Sequence, residues 1–160
     1  STDAPECDSL SSGTIRRQRQ NLGSATISGL EVEASYAFAN EWSLRGSYLL
    51  SDSRNDDSGL VLPQVSKHQG SVGMDYDGSF QFTAELRLVG NAFDDDLNQR
   101  ELPRYALFDL SLRVPLSPKF AAYVAVENLF NEDYVVRTDP LDRLGTPRFA
   151  HGGIELRLFR

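Results

Sequence analysis

Asp94, Asp95 and Asp96 stand in a row within a stretch of turn-forming residues. Consecutive carboxylates offer the oxygen ligands that hard cations take, but a cation-wrapping loop needs alternating ligand positions that are absent here. The triplet is therefore read as a ligand-contact candidate and not as a metal site. Arg137 and Arg143, interleaved with Asp139 and Asp142, present guanidinium forks that suit an anionic group. His68 and His151 are the chain's only histidines, the base candidates for a Ser–His hydrolase. Nucleophile and base must meet for covalent catalysis. Ser66 and Ser71 flank His68, but strand alternation sends Ser71 to the opposite face, and the segment around His151 has no serine. There is no Gly-x-Ser-x-Gly elbow and no cluster with zinc-ligand spacing. No catalytic residue, no metal site and no cofactor are expected. Cys7 has no partner cysteine within the chain.

These residues sit between segments that alternate apolar and polar side chains with period two, the mark of strands with two unlike faces. In the clearest, Phe80, Phe82, Ala84, Leu86 and Leu88 oppose Gln81, Thr83, Glu85 and Arg87. The same pattern runs through 30–38, 42–50, 68–76, 108–114, 120–126 and 153–160, giving seven strands and no helix. The first segment starts near Thr14, and its apolar parity switches between Ile27 and Leu30. A one-residue slip would invert the faces, so a bulge is expected near Ser28 and Gly29.

The connections near 39–41, 77–79 and 115–119 are short. Those at 51–66, 90–103 and 131–147 are long and polar. With 160 residues and a net charge of −7, the chain carries no basic nucleic-acid footprint. No apolar run is long enough for a membrane helix, and the opening residues lack an export leader, so an exported chain would be mature or incomplete here. Short turns at one end and long loops at the other instead fit a transmembrane β-barrel. The polar phase carries Glu31, Glu33, Arg45, Asp75, Glu85, Arg87, Asp109, Arg113, Glu155 and Arg157, which a wet lumen accommodates and a dry core would not. Trp42, Tyr76, Phe80 and Phe120 lie beside the short turns, where an interfacial aromatic girdle belongs.

Asn128, Leu129, Phe130, Asn131 and Tyr134, followed by Gly145, Thr146, Pro147 and Arg148 before the last strand, resemble the end of TonB-dependent outer-membrane receptors. Gly29, Glu31 and Glu33 resemble the family's Gly-x-Glu-x-Glu strand. Leu62-Pro63 with Lys67-His68, and Leu102-Pro103-Arg104-Tyr105 with Phe108-Asp109-Leu110, resemble its later strands. Ser66 departs from the proline common before Lys-His, and Arg160 follows the aromatic residue that usually ends the family.

The resemblance implies an all-β antiparallel barrel, with 14–160 as its C-terminal portion of about seven strands and 1–13 as an extracellular loop remnant. It implies import of a ferric siderophore, cobalamin or similar scarce ligand across the bacterial outer membrane, with energy from TonB reaching a plug domain that this sequence lacks. The implied partners are outer-membrane lipid, the TonB system, a small-molecule or metal-chelate ligand and the barrel-assembly machinery. A soluble β-sandwich binding module and an outer-membrane barrel hydrolase are the alternatives. In the receptor reading Pro147 presets the backbone for the last strand.

Overall fold

The computed structural model describes residues 23–138 and 141–158. The segment 1–13, Cys7, the start at Thr14, Asp139, Phe159 and Arg160 lie outside the described residues. Every regular element described is a strand: β1 (Ala25–Ala37), β2 (Trp42–Asn55), β3 (His68–Asp77), β4 (Gln81–Val89), β5 (Ala92–Phe93), β6 (Glu101–Leu102), β7 (Tyr105–Pro115), β8 (Phe120–Glu127), β9 (Val135–Arg137), β10 (Arg143–Leu144) and β11 (Phe149–Leu156). Seven of them form one antiparallel meander in the order β1-β2-β3-β4-β7-β8-β11. The short strands pair separately, β5 with β6 and β9 with β10, inside the long loops.

Register turns the sequence alternation into two unlike surfaces. Tyr36, Leu44, Met74, Ala84, Leu110, Val126 and Ala150 are successive cross-strand partners, so one apolar row crosses all seven strands. The adjacent row on the other face reads Ser35, Arg45, Gly73, Glu85 and Asp109. Among the described residues the buried hydrophobics are only Leu102, Leu107 and Ala121, while Leu30, Val32, Val72, Val124 and Ile154 are exposed. A sandwich would bury one face of each of two sheets. Here a single curtain leaves its apolar face open, as a lipid-facing wall does.

The expected bulge near Ser28 and Gly29 is absent. Pairing runs unbroken from Ala25 opposite Asn55 to Ala37 opposite Ser43. Leu30 pairs with Leu50, but Ser28 pairs with Asp52 and Thr26 with Arg54. The apolar band therefore ends at the Leu30 row, and the strand continues past it without changing faces. Gly29 serves a close approach instead, since a Cβ there would lie 2.4 Å from the carbonyl oxygen of Leu50. The same outward extension carries β2 to Asn55, past the expected loop start at 51. The last strand starts at Phe149 and not at Gly153, because ladder pairing with β8 continues through both glycines, with Gly152 opposite Val124 and Gly153 opposite Tyr123.

At the short-turn end, Trp42 and Tyr76 pack at a tilt with ring centres 4.9 Å apart, Tyr76 and Phe80 likewise at 4.5 Å, and Phe38 stacks on Trp42 at 6.3 Å. All three long connections leave the opposite end.

Candidate functional site

The three long loops are stitched into one rim by side chains. Asn98, at φ 54°, reaches across to the first long loop. Its Oδ1 accepts from the Val61 amide at 2.9 Å, and its Nδ2 donates to the Val61 carbonyl at 2.8 Å. Gln64, at φ 61°, donates from its amide to the Phe93 carbonyl at 2.6 Å and from Nε2 to Asp94 Oδ1 at 2.9 Å. The other Asp94 oxygen accepts from the Thr138 amide at 2.8 Å and the Thr138 hydroxyl at 3.0 Å. One carboxylate thus ties the second long loop to both of the others. Burial alone would raise the Asp94 pKa. The donors from Gln64 and Thr138 and the charge of Arg137 outweigh it and hold the carboxyl below the usual aspartate range.

The acidic triplet is divided in role. Asp94 is the knot, and Asp95 Oδ1 accepts from the Gln99 and Arg100 amides at 2.9 and 2.8 Å, shaping the turn between β5 and β6. Asp96 is exposed at the tip. Among the described residues, no group of three or more His, Cys, Asp or Glu side chains gathers to hold a metal. Arg137 and Arg143 come together as directly opposed residues of the β9–β10 hairpin, both exposed. Like charges in opposed positions repel across a ladder, and a bound anion would relieve that repulsion.

The sequence motifs converge at the base of the last loop. Asn128 is buried at 3% exposure and sits at φ 50°. Its Nδ2 donates to the Glu132 and Thr146 carbonyls at 2.9 and 3.1 Å, and its Oδ1 accepts from the Glu132 amide at 2.8 Å. The Leu129 amide donates to the Phe108 carbonyl, and the Phe130 ring packs on Phe108 with centres 5.5 Å apart. Asn131 accepts from the Arg148 amide at 3.0 Å, beside Pro147. Tyr134 lies flat over Gly145, where any Cβ would collide with the ring, and its hydroxyl accepts from the Thr146 amide at 3.2 Å. Two motifs separated by more than a dozen residues are thus a single clasp.

Below the rim, the polar face carries a ladder of charge. Arg45 bridges Asp75 at 2.9 Å and Glu85 at 2.7 Å, and Arg87 pairs with Asp109 at 2.7 Å. Asp109 then accepts from the Asn128 amide at 2.8 Å, linking wall to clasp. Glu31 lies on this same face, opposite Leu49. Arg113 and Glu155 pair at 2.7 Å nearer the short turns. Ser66 donates its hydroxyl to the His68 carbonyl at 2.9 Å and not to the ring. His68 Nδ1 is 2.8 Å from the Tyr48 hydroxyl on the apolar face, and His151 stands 3.7 Å from Glu127 on the polar one. Sequence reasoning missed Asn98, Gln64 and Thr138. The signal available was an Asn or Gln between turn residues, where positive φ is best tolerated for Asn.

Comparison with known proteins places this geometry. The family model described as TonB dependent receptor-like, beta-barrel matches residues 2–129. The pesticin receptor of Yersinia pestis is 31% identical over 137 residues, covering 78% of this chain and 20% of the receptor. The metal-pseudopaline receptor CntO of Pseudomonas aeruginosa is 29% identical over 136 residues, covering 75% of this chain and 19% of its own. Among solved structures, the ferric yersiniabactin uptake receptor FyuA from Yersinia pestis superposes with a TM-score of 0.76 at 22% identity, over 84% of this chain and 24% of that one. The ferric citrate transporter FecA gives 0.73 at 22% identity, over 82% and 24%. The chain spans about a fifth of the length of the curated relatives it matches. The seven-stranded curtain is a portion of barrel wall from the bacterial outer membrane, and the chain belongs to the TonB-dependent receptor β-barrel family.

Proposed function

We propose that this chain forms part of the wall and outer rim of an importer that captures an anionic metal chelate, with a ferric siderophore as the leading class, and moves it inward with energy delivered by TonB to a plug domain. The observation that carries the reading is the rim itself: Asp94 ties three outer loops together and stands beside Arg137, which opposes Arg143. A fixed cationic pair at the mouth of a charged lumen is what an anionic ligand needs for capture. Asp95 and Asp96 would shape the same rim. The similar receptors for ferric yersiniabactin, ferric citrate and metal-pseudopaline support the chelate class. Further strands would pair with the outer edges of β1 and β11, because unpaired ladder groups are not tolerated in lipid. No enzymatic role is proposed, since the similar proteins are transport receptors and the described polar groups of the rim hold loops.

The test is uptake of radioactive iron, supplied as ferric hydroxycarboxylate and ferric phenolate chelates, by cells whose only such receptor carries this chain. Uptake should need an energised inner membrane and should fall about tenfold in an Arg137→Ala, Arg143→Ala double variant, as expected for loss of charge-assisted contacts. Equal uptake with and without the receptor for every chelate would sink the reading.

A further inference from the structure

Among the described residues, Asp109 is the lumenal wall carboxylate that also holds a loop. Its Oδ2 accepts from Arg87 Nη2 at 2.7 Å, and its Oδ1 accepts from the Asn128 amide at 2.8 Å. Arg87 also stands 3.9 Å from Glu85, which Arg45 joins to Asp75. Arg113 makes the contrast on the same face. It meets Glu155 and Gln81, and both belong to the wall. The two bonds of Asp109 differ in burial. The Arg87 and Asp109 side chains are 48% and 23% exposed, so water can replace either partner of that pair. Asn128 is 3% exposed, and its buried amide must keep an acceptor. Asn128 also anchors the last outer loop, through the Glu132 and Thr146 backbone. That loop carries Arg137 and Arg143 and reaches Asp94 through Thr138.

A carboxylate gripped on one oxygen by a guanidinium has its other oxygen aimed. Without the grip, the exposed oxygen is hydrated and the group is free to turn about its last, broad torsion. The Asn128 amide then loses a fixed acceptor, at the residue whose left-handed backbone the clasp depends on. We propose that Asp109 couples the lumen to the mouth: the last outer loop is held firmly only while Arg87 stays on Asp109. Loss of that contact in the lumen loosens the loop bearing Arg137 and Arg143. Arg87 and Asp109 are positioning residues in this scheme, since they act on the rim through Asn128. The coupling goes beyond the transport reading, which needs the rim but no link from it to the wall.

Hydrogen exchange on the full receptor carrying this chain, without chelate, reads the coupling. Arg87→Met should speed exchange of the 129–148 amides about fivefold, the effect of one partly screened charge-assisted bond. Amides of β2 and β3 should keep their protection. Arg87→Lys keeps a charged donor and should restore most of the loop's protection. Asp109→Asn removes the same ion pair in the same shape, so the double variant should exchange no faster than either single one. Arg113→Met removes an ion pair of equal length from the same face and should leave the loop as it was. Unchanged loop exchange in Arg87→Met overturns the proposal. Equal loosening by Arg113→Met overturns it too, because any wall charge would then serve. A double variant that multiplies the two single effects overturns it as well, because Arg87 would be acting past Asp109. Should Arg87→Met fail to reach the membrane, Asp109→Asn set against Arg113→Met decides the point in the same way. Because exchange is read without chelate and transport by iron uptake, failure of the coupling and failure of the transport reading appear in different measurements.

Discussion

The wall and the rim are held by different kinds of bond. In the wall, backbone ladders fix the register, and side chains alternate between two environments. Its ion pairs stand on positions left 23–48% exposed across β2, β3, β4 and β7. In the rim, backbone pairing is reduced to two- and three-residue strands. All of the positive-φ side-chain residues described, Gln64, Asn98, Asn128 and Asn131, lie there and none in the seven long strands. The difference teaches where single substitutions matter. The wall averages over many equivalent bonds, whereas the rim depends on a few side-chain amides and the Asp94 and Asp95 carboxylates.

The largest effect should follow from Asn128. Alanine there would remove three side-chain hydrogen bonds and hold φ 50° with a residue that tolerates the left-handed region less well than asparagine. The combined local cost is about 3 kcal/mol. Hydrogen exchange should show amides of 129–148 losing protection while those of β2 to β4 keep theirs. Asn128→Gly separates the two causes, because glycine tolerates the backbone angle but leaves the Glu132 and Thr146 groups unpaired. If both variants leave exchange in the last loop unchanged, the clasp does not hold that loop, and the contrast between wall and rim fails at its strongest point.

Asp94→Ala should come next, at about 1–2 kcal/mol for the lost ties to Gln64 and Thr138. The effect is separation of loops and not melting of strands. Spin labels placed at Asp96 and Leu141 in a Cys7→Ser background would read the distance across the rim. The same position gives the pH dependence its sign. A carboxyl depressed in the folded rim favours the folded rim fully above the ordinary aspartate pKa of about 4. That contribution is lost as pH falls through the lower, folded value. Acidification below about 4 should therefore widen the label distance in the wild type and leave Asp94→Ala unaffected. Equal acid responses in both would assign the transition to another group.

Much of the wall was legible because period-two alternation is a local signal that survives into the sheet, as the Phe80 to Leu88 segment shows. Where the reading failed, distance from the apolar band explains it. At Ser28 and Gly29 the pattern changed because the apolar row ended at Leu30, not because the chain slipped, and a sequence window cannot separate the two. At Gly152 and Gly153 the residues argued for a late strand start, while cross-strand pairing with Val124 and Tyr123 carried the strand through. The rim was legible only as motif. Asn128 and Gly145 could be picked out by resemblance, but the hydrogen bond from Asn128 to Thr146 joins residues eighteen apart through a turn that no periodicity encodes. Asp94 was singled out for its neighbours Asp95 and Asp96, yet its partners Gln64 and Thr138 come from two other loops.

The smallest effect should come from the wall, and it is the sharpest check on the contrast. Arg45 bridges two carboxylates, and Gly73 leaves the space its guanidinium occupies, since a Cβ at Gly73 would lie 2.7 Å from Arg45 Nε. Arg45→Met removes both ion pairs and leaves Asp75 and Glu85 to repel one another. In a dry core that would be severe, because breaking one partner strands the other charge. Here the Arg45 side chain is 46% exposed and Asp75 is 31% exposed. Solvent screens the remaining carboxylates, and the loss should stay below about 1 kcal/mol. The Arg113→Met loss at the Arg113–Glu155 pair should be smaller still, because Arg113 bridges one carboxylate and not two. Thermal unfolding of the full receptor in low and high salt measures both. A shift for Arg45→Met larger than that for Asp94→Ala would mean that the lumenal charges hold the wall, and that the backbone ladder alone does not.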